Sequence, residues 1–168
     1  MFNFWRILRF FLLTVFIILI QFSFINSVGG FLSNFNLVLY FLIYAFIVYD
    51  FKTAFWITFL VGFVFDILSF YAFGIHSLSL VLTLFAVNFL SINFFTNRSL
   101  YSFWAVSVFF VLFYNIILYF LISLINLFVV NVTLVGDGFF MAALKDLFFI
   151  LIIVTVSFYF FDFDKERK

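Results

Sequence analysis

The sequence predicts an all-α integral membrane protein, a compact bundle of six transmembrane helices with both termini cytoplasmic. Three observations carry this reading. The 168-residue chain is 69% hydrophobic with mean hydropathy +1.40, more apolar surface than a soluble domain of that length could keep from water. Its charged fraction is 9%, against about 25% in an ordinary soluble domain. And its few charges punctuate long apolar runs, with the basic residues sorting to one side when those runs are laid back and forth across a bilayer.

The apolar runs give six spans in one transmembrane domain, residues 1–168: Ile7–Ile25, Phe35–Tyr49, Thr53–Phe73, Ser77–Phe95, Leu100–Val130 and Asp146–Phe161. A spanning helix needs about 20 residues. The second run is short for this. The fifth is too long for one upright helix and calls for strong tilt, projection beyond the membrane or a helical extension. The chain contains no proline, so any kink would come from Gly, Ser or a bulge. The first run follows Arg6 and Arg9 like a secretory leader, but it exceeds the roughly 7–15 apolar residues of such a segment and no small-x-small cleavage site follows. It reads as the first span.

With the N-terminus in the cytoplasm, Arg6, Arg9, Lys52, Arg98, Lys165, Arg167 and Lys168 share one side and only Lys145 falls on the other. Five or seven spans would scatter them. The outer connections are then 26–34, 74–76 and 131–145. The last holds Gly136-Asp137-Gly138 before Phe139-Phe140-Met141 and reads as coil or a short interfacial helix. Trp5, Trp56 and Trp104 all fall near the inner interface, as an aromatic belt does. With termini this brief, no soluble catalytic or binding domain is expected. The 36 Phe residues are spread along the whole chain, which fits a compositional bias replacing Leu towards lipid rather than a cofactor box. No cysteine is present, which excludes disulfides, thiolate metal sites and a Cys nucleophile. A net charge of +1 offers no patch for nucleic acid.

Polar residues at helical spacing define the faces expected to point inward: Asn36, Tyr40 and Tyr44 in the second span; Thr58, Gly62, Asp66 and Ser69 in the third; His76, Ser79, Thr83 and Ala86 in the fourth; Asn115, Tyr119 and Asn126 in the fifth. Asp66 stands out. A carboxylate at depth costs roughly 2.5–3.5 kcal/mol on insertion scales and needs a partner or a purpose. Counted from the start of its span it sits roughly 20 Å into a core of about 30 Å, in the outer half. A structural role, in which it bonds nearby backbone and locks the turn that follows, is favoured over ligand, ion or partner binding. His76, the single histidine, lies across the Gly74 turn and could approach the carboxylate. With no cluster to complete a metal site, it reads as a helix-start histidine with a hydrogen-bonding role. Lys145 and Asp146 read as an interfacial pair at the outer end of the sixth span. No nucleophile–base constellation, P-loop, GxGxxG or HExxH is present, so no catalytic, cofactor or metal residue is assigned.

The block Gly62-x-x-x-Asp66-x-Leu68-Ser69, followed by Gly74-Ile75-His76-Ser77-Leu78, resembles the most recognisable segment of the MreD family of rod shape-determining membrane proteins. Length, span count and the short charged C-terminal tail look similar too, although the motif covers only about a tenth of the chain. The resemblance implies a non-enzymatic component of the bacterial cell-elongation machinery in the cytoplasmic membrane. It implies as partners MreC, the MreB cytoskeleton and, in the wider complex, the RodA glycosyltransferase and a class B transpeptidase. It casts Gly62, Asp66, Ser69, Gly74 and His76 in structural or partner-binding roles, with no cofactor. The family is similar in fold to the substrate-binding S components of energy-coupling-factor vitamin transporters, which supplies the alternative function. Against that alternative, Ile7–Ile25 contains neither Ala nor Gly for the small-residue contacts such proteins use in docking, and the outer connections hold no Trp.

Overall fold

The computed structural model describes residues 12–13, 15–21, 23, 36–69, 73–94, 100–128 and 139–160. Every regular element among them is helical. A first helix, α1, is described at residues 12–13 and 15–20, with π-helical turns at 21 and 23. Five more follow: α2 (Leu37–Val48), α3 (Phe51–Leu68), α4 (Ile75–Phe94), α5 (Leu100–Phe128) and α6 (Phe139–Phe160). Three of them, over Phe51–Leu68, Ile75–Asn93 and Leu100–Leu127, are long and apolar enough to cross a membrane. The chain is therefore a helical membrane protein. Arg6, Arg9, Arg98, Lys165, Arg167, Lys168, Trp5 and the connections 26–34 and 131–138 lie outside the described residues.

Element lengths refine the sequence reading. α2 has only 12 residues, about 18 Å at 1.5 Å per residue, and falls short of a hydrocarbon core of about 30 Å. α5 is one unbroken helix of 29 residues, about 43 Å long. α6 begins at Phe139 rather than Asp146, so Phe139-Phe140-Met141 form its first turn and Lys145 lies within a helix instead of a connection. Seven further residues in helical register leave no break before the apolar run.

Successive helices α3–α4, α4–α5 and α5–α6 pack along their lengths, while α2 lies against α3, α5 and α6. Leu39, Leu42, Ile43, Val61, Leu80, Leu84, Phe110, Val111, Ile122 and Ile150 fill the centre. Outside, Phe59, Phe63, Leu82, Phe85, Phe89, Leu112 and Ile116 are exposed. This apolar exterior suits lipid, where helix association rests on close packing and interhelical hydrogen bonds because hydrocarbon surrounds the helices anyway.

The inward stripes agree in α3 and α4. Thr58, Gly62 and Asp66 are buried with Ser69 half-buried, and His76, Ser79 and Thr83 are buried. In α2 the expected stripe is only half-buried, because Val38, Leu39, Leu42, Ile43 and Ala45 take the core side. In α5 the expected stripe is met only in part, with Asn115 and Asn126 half-buried. Tyr119 is 49% exposed, and Phe103, Val106, Ser107, Phe110, Val111, Tyr114 and Leu118 face inward instead. Asn115 needs no interior partner because its Nδ2 donates to the carbonyl of Val111 one turn back (2.8 Å), the local solution open to short polar side chains.

Candidate functional site

The α3–α4 hairpin brings the residues of the Gly62–Leu78 block together. α3 ends at Leu68, and Ser69 leaves it in an extended conformation while its N–H still bonds Phe65 O (2.9 Å). The chain then turns through Gly74, whose φ of +97° is the left-handed region that favours glycine. Gly74 also stands immediately before the first residue of α4, where a Ser, Thr, Asp or Asn side chain would normally cap the orphan N–H groups of the first turn. Glycine has no side chain to offer. The carboxylate of Asp66 takes its place from the preceding helix.

Its geometry is that of a two-pronged cap. The N–H of His76 donates to Asp66 Oδ1 (2.8 Å) and the N–H of Ser77 to Asp66 Oδ2 (3.0 Å). The two acceptor oxygens stand at the positive end of the α4 dipole, where acceptors are favoured. Asp66 is 3% exposed, so the cap is closed to the outside. Ser77 Oγ donates to Gly74 O (3.1 Å), and Leu78 N–H bonds the same carbonyl (2.9 Å). Ser69 Oγ donates to Asp66 O (3.3 Å), tying the end of α3 to itself.

Gly62 sets how closely the two helices approach. A Cβ built there would lie 2.5 Å from Ser77 Cα and 2.9 Å from Ser77 Cβ. Only a glycine leaves room for that contact, one turn of α3 below the carboxylate. The His76 side chain is buried; its Nδ1 pairs with Tyr114 Oη of α5 (3.1 Å), and its ring stands edge-on to Phe65 with centroids 4.7 Å apart. His76 thus meets Asp66 through its backbone N–H while its ring reaches the next helix.

A second capped start adjoins the first. At α2, Asn36 Oδ1 accepts from Leu39 N–H (3.2 Å), Gln21 Oε1 of α1 accepts from Leu37 N–H (2.8 Å), and Asp146 Oδ1 of α6 accepts from Asn36 N–H (3.2 Å). Asp146 is 8% exposed and Gln21 6%. This corrects the interfacial reading of Asp146: with α6 starting at Phe139, the carboxylate lies two turns inside the helix and turns onto α2. Further along, Tyr40 Oη and Ser157 Oγ pair at 2.5 Å. On the surface, Trp104 Nε1 donates to Thr155 Oγ1 (2.9 Å).

Sequence reasoning missed Asp146, Gln21 and Tyr114 as interior polar groups. Gln21 carried a usable signal, since it is the one side-chain amide in the first apolar run. Tyr114 had a signal in its spacing from Ser107, Val111 and Leu118 on one face of α5.

Among the described residues no three His, Asp or Glu side chains converge as metal ligands would. The gap lined by Tyr40, Ile43, Tyr44, Ile47, Phe103, Val154 and Ser157 has a cavity volume of only about 10 Å³, far below the range of roughly 300–1,000 Å³ typical of small-molecule pockets. What the hairpin site does, chemically, is fasten helix to helix. No protein-family model matches the chain, and no curated protein or solved structure is similar to it beyond chance.

Proposed function

We propose that this chain is a six-span, non-enzymatic membrane component of a bacterial cell-elongation machinery, of the MreD kind. Both its ends lie in the cytoplasm, and it holds MreC, and through it MreB, beside RodA and a class B transpeptidase. The observation that supports this reading is convergence. Gly62, Asp66, Gly74, His76 and Ser77, which bear the resemblance, form one contact unit at the α3–α4 turn. Their spacing serves a closed helical hairpin, an architectural use that suits a scaffold. In this reading Asp66 fixes the hairpin, because both its oxygens are engaged by α4. A partner would meet the exposed side chains around it, among them Phe63, Ile67 and Phe73.

The test is made in a rod-shaped host at normal expression. Asp66→Asn and Asp66→Leu, present in the membrane at wild-type level, are expected to round the cells and abolish co-purification with MreC. Normal rods and an intact complex from both variants would defeat the proposal. Tight binding of a vitamin by the purified protein would replace it with the S-component function.

A further inference from the structure

Each of the six helices contributes a polar side chain to the hydrogen bonds described above: Gln21 from α1, Asn36 at the start of α2, Asp66 from α3, His76 from α4, Tyr114 from α5 and Asp146 from α6. These bonds fall into two sets, one around Asp66 and one around Asn36. Between the sets Asn36, Val38, Leu39, Phe65, Leu80 and Tyr114 meet around a narrow gap with a cavity volume of about 0 Å³, too tight for a water molecule. These residues belong to both sides. Phe65 precedes Asp66 and stands edge-on to His76, Tyr114 pairs with His76, Asn36 N–H donates to Asp146, and Leu39 N–H donates to the Asn36 side chain. Val38, Leu39, Leu80 and Tyr114 are buried. A shift of Phe65 or Tyr114 into this seam therefore presses on Leu39 and Asn36.

We infer that the two capped helix starts are energetically coupled through α2, which relays a disturbance of the α3–α4 turn to α6. Packed interiors move between discrete arrangements rather than deforming smoothly, and residues sharing one packing layer depart from additivity. The relay has two outlets on α6: Asp146 beside Asn36 and, one residue beyond Leu39, the Tyr40–Ser157 hydroxyl pair. Ser157 follows Asp146 by about 16 Å of helix, so the effect of a change at the turn is felt well along α6. This coupling is a property of the chain in lipid or detergent and does not depend on which protein it assembles with.

The experiment is a double-mutant cycle on the full chain in lipid nanodiscs. Asp66→Asn and Asp146→Asn are made singly and together, and thermal unfolding is followed by circular dichroism. Coupling is expected to make the combined loss in Tm no more than about two-thirds of the sum of the single losses. A sum matched within error overturns the inference. Tyr114→Phe, which removes only a hydroxyl from the gap, stands in for Asp66→Asn if that variant does not accumulate, with the same two outcomes. A second readout uses the absence of cysteine. Val38→Cys places one buried thiol on α2, and Asp66→Asn is expected to raise its maleimide labelling about tenfold while Val87→Cys in α4 changes less than about twofold. Unchanged labelling at position 38, or an equal rise at both positions, overturns the relay.

Discussion

At the start of α4 one carboxylate serves two backbone N–H groups, and it comes from only ten residues back in the chain. At the start of α2 three acceptors serve three N–H groups, and two of them come from 16 and 110 positions away. The first is a local device: Asp66, the Gly74 turn and α4 close on themselves as soon as two helices pack. The second requires α1, α2 and α6 to be assembled together. In hydrocarbon both must be satisfied, because no water is present to take an orphan N–H. A helix start can thus be secured by a single committed carboxylate or shared among several helices. The choice decides how much one substitution removes.

The largest effect should fall where one residue carries the whole cap. Asp66→Leu strands two donors, the buried N–H of His76 and the half-buried N–H of Ser77, each costing about 1–3 kcal/mol, so a loss of about 3 kcal/mol or more is expected. Asp146→Leu strands one of three and should cost about half as much on the same scale. The cost of placing a carboxylate in hydrocarbon is carried by the separated helices as well as by the bundle, so removing it does not offset these losses. Chemical or thermal unfolding of the two variants in one detergent checks the order. Equal losses, or a larger loss at position 146, would break the contrast between the two starts.

Gly62→Ala attacks the same hairpin without touching a hydrogen bond. The added methyl would meet Ser77 Cα at 2.5 Å, a backbone atom that cannot rotate away, and overpacking of this kind typically costs about 1–3 kcal/mol. α4 must retreat from α3, which lengthens both bonds to Asp66. The expected result is a lower Tm together with much faster amide exchange at His76 and Ser77, and a smaller increase, passed on through α2, at Leu37 and Leu39. Protection lost equally at both helix starts would mean that the close approach organises the whole bundle rather than one turn.

The two starts also differ in how far they were legible in the sequence. Helicity and membrane character followed from composition and run length. The α3 and α4 stripes were readable because Thr58, Gly62 and Asp66, and likewise His76, Ser79 and Thr83, repeat at helical spacing on helices whose polar residues really do face inward. The Asp66 cap was within reach because donor and acceptor flank one short turn. The α2 cap was not. Nothing local to Asn36 points to Asp146, and a carboxylate beside Lys145 looks like an interfacial pair until α6 is seen to begin seven residues earlier. Tyr119 misled for a different reason: helical spacing alone cannot distinguish a stripe facing the bundle from one whose amide is satisfied by its own backbone, as Asn115 is. Non-local partners and self-satisfied side chains are the two physical limits of that reading.

The smallest expected effect tests whether α2 is held at its end or along its length. Tyr40→Phe removes the hydroxyl paired with Ser157 Oγ at 2.5 Å and keeps the ring. Interhelical side-chain hydrogen bonds within membranes average about 0.6 kcal/mol, because the separated helices find other partners. At the usual 2–4 °C per kcal/mol for a chain of about this size, Tm should fall by only about 1–2 °C. That is well below the loss expected for Asp146→Leu, since a serine hydroxyl left behind can turn back to a carbonyl of its own helix. An N–H at a helix start has no such recourse. A loss as large as that of Asp146→Leu would place the hold on α2 at the hydroxyl pair, and the difference between the two starts would then have to be sought along the helices rather than at their ends.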